Sequence, residues 1–81
     1  MLWVDMAGYV VSSDDHEVVG KVGRVTGGIG PGRIGEVMLS VRGGTEAFLA
    51  HAVDPVESIR PGARVVVVEY YPPRTIYVSL A

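Results

Sequence analysis

The chain has no cysteine. Disulfides and thiolate zinc sites are therefore excluded as staples, and stability has to come from a packed core. It has no asparagine and no glutamine either, two of the side chains most used to read base edges. Seven basic residues against nine acidic ones leave a net charge of −2, so nothing makes a basic field for a phosphate backbone. No apolar run approaches the ~20 residues that cross a bilayer. Met1 to Val4 is apolar, but Asp5 follows at once and no basic flank precedes it, which is not the pattern of a signal peptide. A reducing cytoplasm is compatible with the missing thiols and is not required by them.

What is present is aliphatic and strand-forming. Hydrophobic residues make up 48% and charged residues 20%, with a mean hydropathy of +0.32, far from the disordered regime. Valine dominates the aliphatic share, and its β-branched side chain suits a pleated surface. Eighty-one residues make one domain. A chain of that size buries only about 60–65% of its unfolded surface, so the core must be used fully.

Glycine and proline interrupt the chain too often for a helix. Five strands are expected, at Val18–Thr26, Ile34–Arg42, Thr45–Ala52, Ala63–Tyr71 and Arg74–Leu80. The connectors Gly27–Arg33, Gly43-Gly44, Val53–Pro61 and Pro72-Pro73 are turn chemistry. Gly43-Gly44 between two such runs is a two-residue hairpin signal. In the second strand Val37, Leu39 and Val41 share one face, and in the last Ile76, Val78 and Leu80 do. The fourth strand is apolar on both faces: Val65 and Val67 are assigned to the core, leaving Val66, Val68 and Tyr70 in need of another cover. Asp54–Arg60 can hold one turn of helix before Pro61-Gly62 stops it. The expectation is an all-β, five-stranded OB-type Greek-key barrel over residues 18–81, with a short helical turn between strands 3 and 4. Residues 1–17 read as an extension, an extra edge strand followed by an acidic turn.

The motifs that suggest chemistry fail on context. Gly30-Pro31-Gly32-Arg33-Ile34-Gly35 fits G-x-G-x-x-G, but a dinucleotide site needs a strand before it and a helix after it, and a strand follows here. Gly27 to Gly32 has phosphate-loop spacing, with Arg33-Ile34 where Lys-Ser/Thr is needed. Asp14-Asp15-His16-Glu17 is a dense polar cluster, yet adjacent residues do not converge on one ion without ligands from elsewhere. The other histidine, His51, reads as a surface or hydrogen-bonded structural residue. No G-x-S-x-G elbow surrounds any of the five serines, and Lys21 has no serine in a known pairing. No catalytic residue, cofactor or metal is expected. Tyr70, Tyr71 and Tyr77 are the best candidates for stacking on bases, but only Arg74 lies close to them in sequence.

Three segments together resemble a known family. Val19-Gly20-Lys21-Val22-Gly23-Arg24-Val25 resembles the opening of the C-terminal domain of NfeD-like proteins, and Pro31-Gly32-Arg33-Ile34-Gly35-Glu36-Val37 its second-strand entry. Ile59-Arg60-Pro61-Gly62-Ala63-Arg64-Val65-Val66-Val67-Val68, followed by Ile76-Tyr77-Val78, is similar to its final two strands. The likeness runs from about Val18 to Leu80; the glycine-rich first turn and residues 1–17 depart from it. It implies an OB barrel and a role beside stomatin- or flotillin-like membrane proteins in the regulation of membrane proteases. Such domains follow transmembrane helices, and longer members add a serine protease domain; neither is carried over to this chain.

The reading is thus a non-enzymatic interaction module whose contact candidates are Met38, Val66, Val68, Tyr70 and Tyr77. Its expected partner is a stomatin- or flotillin-like protein, or a second copy of the chain. Its expected location is the cytoplasm, or the membrane surface if the chain is the soluble piece of an anchored protein. The alternative is an OB domain that binds single-stranded nucleic acid.

Overall fold

The computed structural model describes residues 18–41 and 43–81. Its strands are β1 (Val22–Gly27), β2 (Gly35–Val41), β3 (Gly44–Ala52), β4 (Arg64–Tyr71) and β5 (Thr75–Leu80). β1, β2 and β3 form an antiparallel meander, and β4 and β5 an antiparallel hairpin. Two further pairings join these halves: β3 runs parallel to β5, and β1 antiparallel to β4. The sheet therefore closes in the order β1-β2-β3-β5-β4, the OB-type barrel expected from the turn spacing. Among the described strands, closure pairs each one on both sides and covers the valine-rich edges.

Alternation sorts the side chains. Val37, Leu39 and Val41 from β2 point inward, as do Phe48 and Ala50 from β3, Val65 and Val67 from β4, and Ile76 and Val78 from β5. At one end the interior is sealed by Ile29 and Ile59, each 2% exposed, which exchange backbone hydrogen bonds of 2.9 and 2.8 Å. Burying side chains of this size stabilises by about 1.5–3 kcal/mol each before entropy is subtracted.

Two glycines let the strands approach closely enough to close. Gly23 points inward between β1 and β2. A Cβ there would stand 2.5 Å from Leu39 Cδ2 and 2.7 Å from the Met38 carbonyl oxygen. At Gly35 a Cβ would press on Ile29 Cγ1 and lie 2.5 Å from the Gly27 carbonyl oxygen. Neither neighbour is a flexible side-chain end alone; backbone stands in the way at both sites.

Several expectations are adjusted. The first strand starts at Val22 rather than Val18, because Gly20 takes a φ of 92° and sends its N–H to the Val67 carbonyl. Val18 is buried against the core instead of continuing the ladder. Val41 pairs with Gly44, and Gly43 has a φ of 77°, so the hairpin turn comes one residue earlier than Gly43-Gly44. The helical turn after β3 is a single hydrogen-bonded turn: Glu57 N donates to Asp54 O at 3.0 Å, and Val56 N to Asp54 Oδ1 at 3.1 Å. The aspartate side chain competes for the backbone donors a helix would need. Leu80 lies at the barrel end and is half exposed, unlike Ile76 and Val78 on the same strand. The expected strand and acidic turn in residues 1–17 lie outside the described residues.

Substitution at the two close contacts tests barrel closure. Gly23→Ala and Gly35→Ala should each destabilise by about 1–3 kcal/mol or more in urea unfolding. Gly44→Ala, whose Cβ would meet nothing nearer than the Val41 carbonyl oxygen at 3.8 Å, should change stability by less than about 0.5 kcal/mol.

Candidate interaction surface

The outer face of β3, β5 and β4 gathers aromatic side chains that are far apart in sequence. Parallel pairing sets His51 beside Tyr77, and the β4–β5 ladder sets Tyr77 opposite Glu69. The His51 and Tyr77 rings stack with centroids 4.9 Å apart and planes at 20°. Tyr71 meets Tyr77 edge to face at 5.5 Å and 84°, and its hydroxyl donates to Glu69 Oε1 at 2.9 Å. Such pairs contribute about 0.5–1.5 kcal/mol each beyond area burial. The three rings form a strip across three strands.

An irregularity in β4 decides which apolar residues join the strip. The β4–β5 register shifts between Val67 and Glu69, so Val68 is an extra residue in its strand. Val67 points in, Val68 and Glu69 both face out, and Tyr70 turns back toward the core. Val68 is 44% exposed as a result. Val66, half-buried, faces out before the shift and stands opposite Val22 of β1.

Of the five contact candidates, Val66, Val68 and Tyr77 share this face. Tyr70 does not. It packs edge-on to Phe48 at 6.0 Å and 79°, and its hydroxyl donates to the Pro73 carbonyl at 3.0 Å. Its alternation with Val66 and Val68 is broken by the extra residue. Met38 is outward-facing but lies on the far side of the barrel, paired with Arg24 and Ala47. Arg24 and Arg64, directly opposite one another, stand between Met38 and Val66. His51 and Tyr71 are not among those five, although Tyr71 is one of the three stacking candidates; His51 joins the strip only through β3–β5 pairing, which no local pattern announces.

The motifs set aside on sequence grounds have plain structural roles. Gly30 to Arg33 is a reverse turn in which Arg33 N donates to Gly30 O at 2.9 Å, and β2 follows with no helix. Among the described residues no three His, Asp or Glu side chains converge on a metal position. The acidic cluster at 14–17 lies outside those residues. Arg74 is engaged: Nη1 donates to the Ala47 carbonyl at 2.6 Å and Nη2 lies 3.5 Å from Glu46 Oε2. That pair is half exposed and contributes little to stability.

The family model for the NfeD C-terminal domain matches residues 22–79, from the first residue of β1 into β5. The chain belongs to this family. Its barrel is similar to the soluble domain of the NfeD protein YuaF from Bacillus subtilis, at 28% identity and a TM-score of 0.67, over 84% of this chain and 76% of that one. It is similar to the C-terminal domain of stomatin operon partner protein 1510-C from Pyrococcus horikoshii, at 27% identity and a TM-score of 0.62, over 86% and 97% of the two chains. The soluble domain of a membrane protein implicated in regulation of membrane protease activity from Corynebacterium glutamicum shares the fold, with a TM-score of 0.68 at 24% identity over 82% and 95%. No curated protein matches the chain in sequence. Among the described residues of this NfeD domain no helix is long and apolar enough to cross a membrane.

Glu69 leaves an electrostatic mark on the NfeD strip. Its carboxylate accepts the Tyr71 hydroxyl proton in a hydrogen bond and adds a nearby negative charge, and both hold the phenol above its ordinary value of 10.0. A folded value above the unfolded one means the bond stabilises the fold below the ordinary tyrosine range. That contribution is lost as pH rises through the raised value. Glu69→Gln should bring the Tyr71 titration back toward about 10, followed through its ring carbon shifts by NMR.

Proposed function

We propose that this NfeD barrel is a non-enzymatic interaction module that docks through the outer face of β3, β5 and β4. The observation that carries this reading is the His51–Tyr77–Tyr71 strip bordered by exposed Val68 and by Val66 and Val22. Contiguous apolar surface marks a contact site, and tyrosines in particular anchor interfaces because they bury large area with few rotatable bonds. Within the strip the Tyr71 hydroxyl and the Glu69 carboxylate are committed to each other. A partner gains apolar and aromatic contact from the rings and from Val68.

The partner class comes from the relatives. One similar structure is a stomatin operon partner protein, and another belongs to a protein implicated in regulation of membrane protease activity. By that likeness, together with the family resemblance of the sequence, the partner is a stomatin- or flotillin-like membrane protein, and the barrel works at the membrane surface in protease regulation. Single-stranded nucleic acid is a poorer fit. A base-stacking platform works beside a cationic track, whereas Glu69 sits within this strip and Arg74 is tied to Glu46 and Ala47.

Binding of the full chain to the soluble domain of a stomatin-like protein tests the proposal. Tyr77→Ala and Val68→Asp should each weaken the complex by at least about tenfold while circular dichroism shows an intact fold. Met38→Ala, on the opposite side, should leave affinity unchanged. Light scattering on the same samples separates self-association, which would use the same face. An empty pull-down together with a strict monomer would remove the support for this reading.

A further inference from the structure

Where Ile29 and Ile59 seal the barrel, the loop at 28–34 and the segment at 58–63 lie side by side and leave a cleft between them. Its volume is about 810 Å³. The floor is apolar, made by Ile29 and Ile59, and Leu80 of β5 borders it with 52% of its surface exposed. The ionic side chains lining it are Arg33 and Arg60, and no aspartate or glutamate joins them. Neither arginine has an ion-pair partner among the described residues. Ser58 also lines the cleft.

Arg33 is held over this cleft by an absence of bulk. A Cβ at Gly28 would lie 3.2 Å from Arg33 Nη2 and 3.6 Å from Pro61 Cδ, so the guanidinium occupies the room that glycine leaves. Two guanidiniums without carboxylates, above aliphatic side chains, match a ligand with the converse pattern. Guanidinium binds carboxylate through paired parallel hydrogen bonds, and the aliphatic floor asks for apolar groups beside it. A flat anionic bilayer fits less well. The adjoining hollow on the other side of Arg33 is lined by Asp54 and Glu57, and the chain carries a net −2. Those charges oppose a continuous anionic surface but leave space for one extended strand of peptide.

We infer that this cleft binds a carboxylate carried on an extended apolar peptide segment of the protein partner. The site rests on the interaction-module reading but lies at the barrel end and uses residues distinct from the aromatic strip. The strip supplies apolar contact, and the cleft supplies recognition of one negative charge at a fixed distance from it.

The test is an amide NMR titration of the full chain with the blocked peptide acetyl-Leu-Val-Glu-Leu-Val-amide and its Glu-to-Gln isostere. The acidic peptide should shift Gly28, Ile29, Arg33 and Arg60, and bind at least about tenfold more tightly than the isostere. Arg33→Ala and Arg60→Ala, both on exposed side chains, should each remove that preference. Gly28→Ala should weaken the acidic peptide by displacing Arg33 while costing little stability, since a flexible side-chain end has to move. Equal binding of the two peptides, or shifts confined to the strip, would overturn the assignment. So would inorganic phosphate binding as tightly as the acidic peptide, or Arg33-dependent sedimentation with phosphatidylglycerol vesicles in its place. Failure of the peptide with partner capture intact removes the cleft alone. Failure of capture removes the module reading, and the titration still decides the cleft.

Discussion

The approach of β1 to β2 at Gly23 governs the rest of the molecule. Leu39 fills the space a side chain on Gly23 would take, and the Met38 carbonyl lies just behind it. That close contact lies on β1, the strand that also pairs with β4 to close the barrel. Gly35 does the same work one turn later, where Ile29 and the Gly27 carbonyl occupy its side-chain position. A small barrel without cysteine has neither a disulfide nor a thiolate metal site to hold it closed, so strand packing has to do it. Gly62 continues the seam: at a φ of 93° it donates its N–H to the Val25 carbonyl at 2.7 Å.

Closure then decides what the outside looks like. Once β3 and β5 lie parallel, His51 and Tyr77 have to be neighbours, and the hairpin brings Tyr71 to the other edge of the same ring. The extra residue in β4 finishes the arrangement by turning Val68 outward and Tyr70 inward. Tyr70 thereby lines the core against Phe48 and leaves the surface to Tyr71 and Tyr77. At the barrel end, the same glycine-rich turn that resembles a nucleotide loop in sequence presents Arg33 to a cleft. The glycines there serve backbone approach and leave room for that guanidinium.

Much of this was legible from residues alone, and the reason is periodicity. Val37, Leu39 and Val41 alternate with polar residues, so their inward face follows from the pleat. The inward face of Val65 and Val67 is legible because Arg64 marks the outer face beside them. Beyond Val67 the valine run carries no phase, so alternation faces Tyr70 outward and the shift at Val68 turns it in. A sequence does not say which side of a closed barrel a strand occupies, so it does not separate Met38 from the β4 residues. Val18 to Lys21 reads as strand because the turn there depends on the φ of one glycine. The family resemblance is insensitive to these local features for a physical reason. Its quoted segments contain Gly23, Gly35 and Gly62, the positions where close contact or a positive φ demands glycine.

The claim on which the surface stands is that Val68 shifts the phase of β4 within a closed barrel. Ring-proton NOEs of the two adjacent tyrosines test it most directly. The account predicts contacts from the Tyr70 ring to Phe48, and from the Tyr71 ring to Tyr77, with Tyr77 also seeing His51. An unshifted strand would exchange the two, placing Tyr71 against Phe48 and Tyr70 against Tyr77, and that result would contradict it.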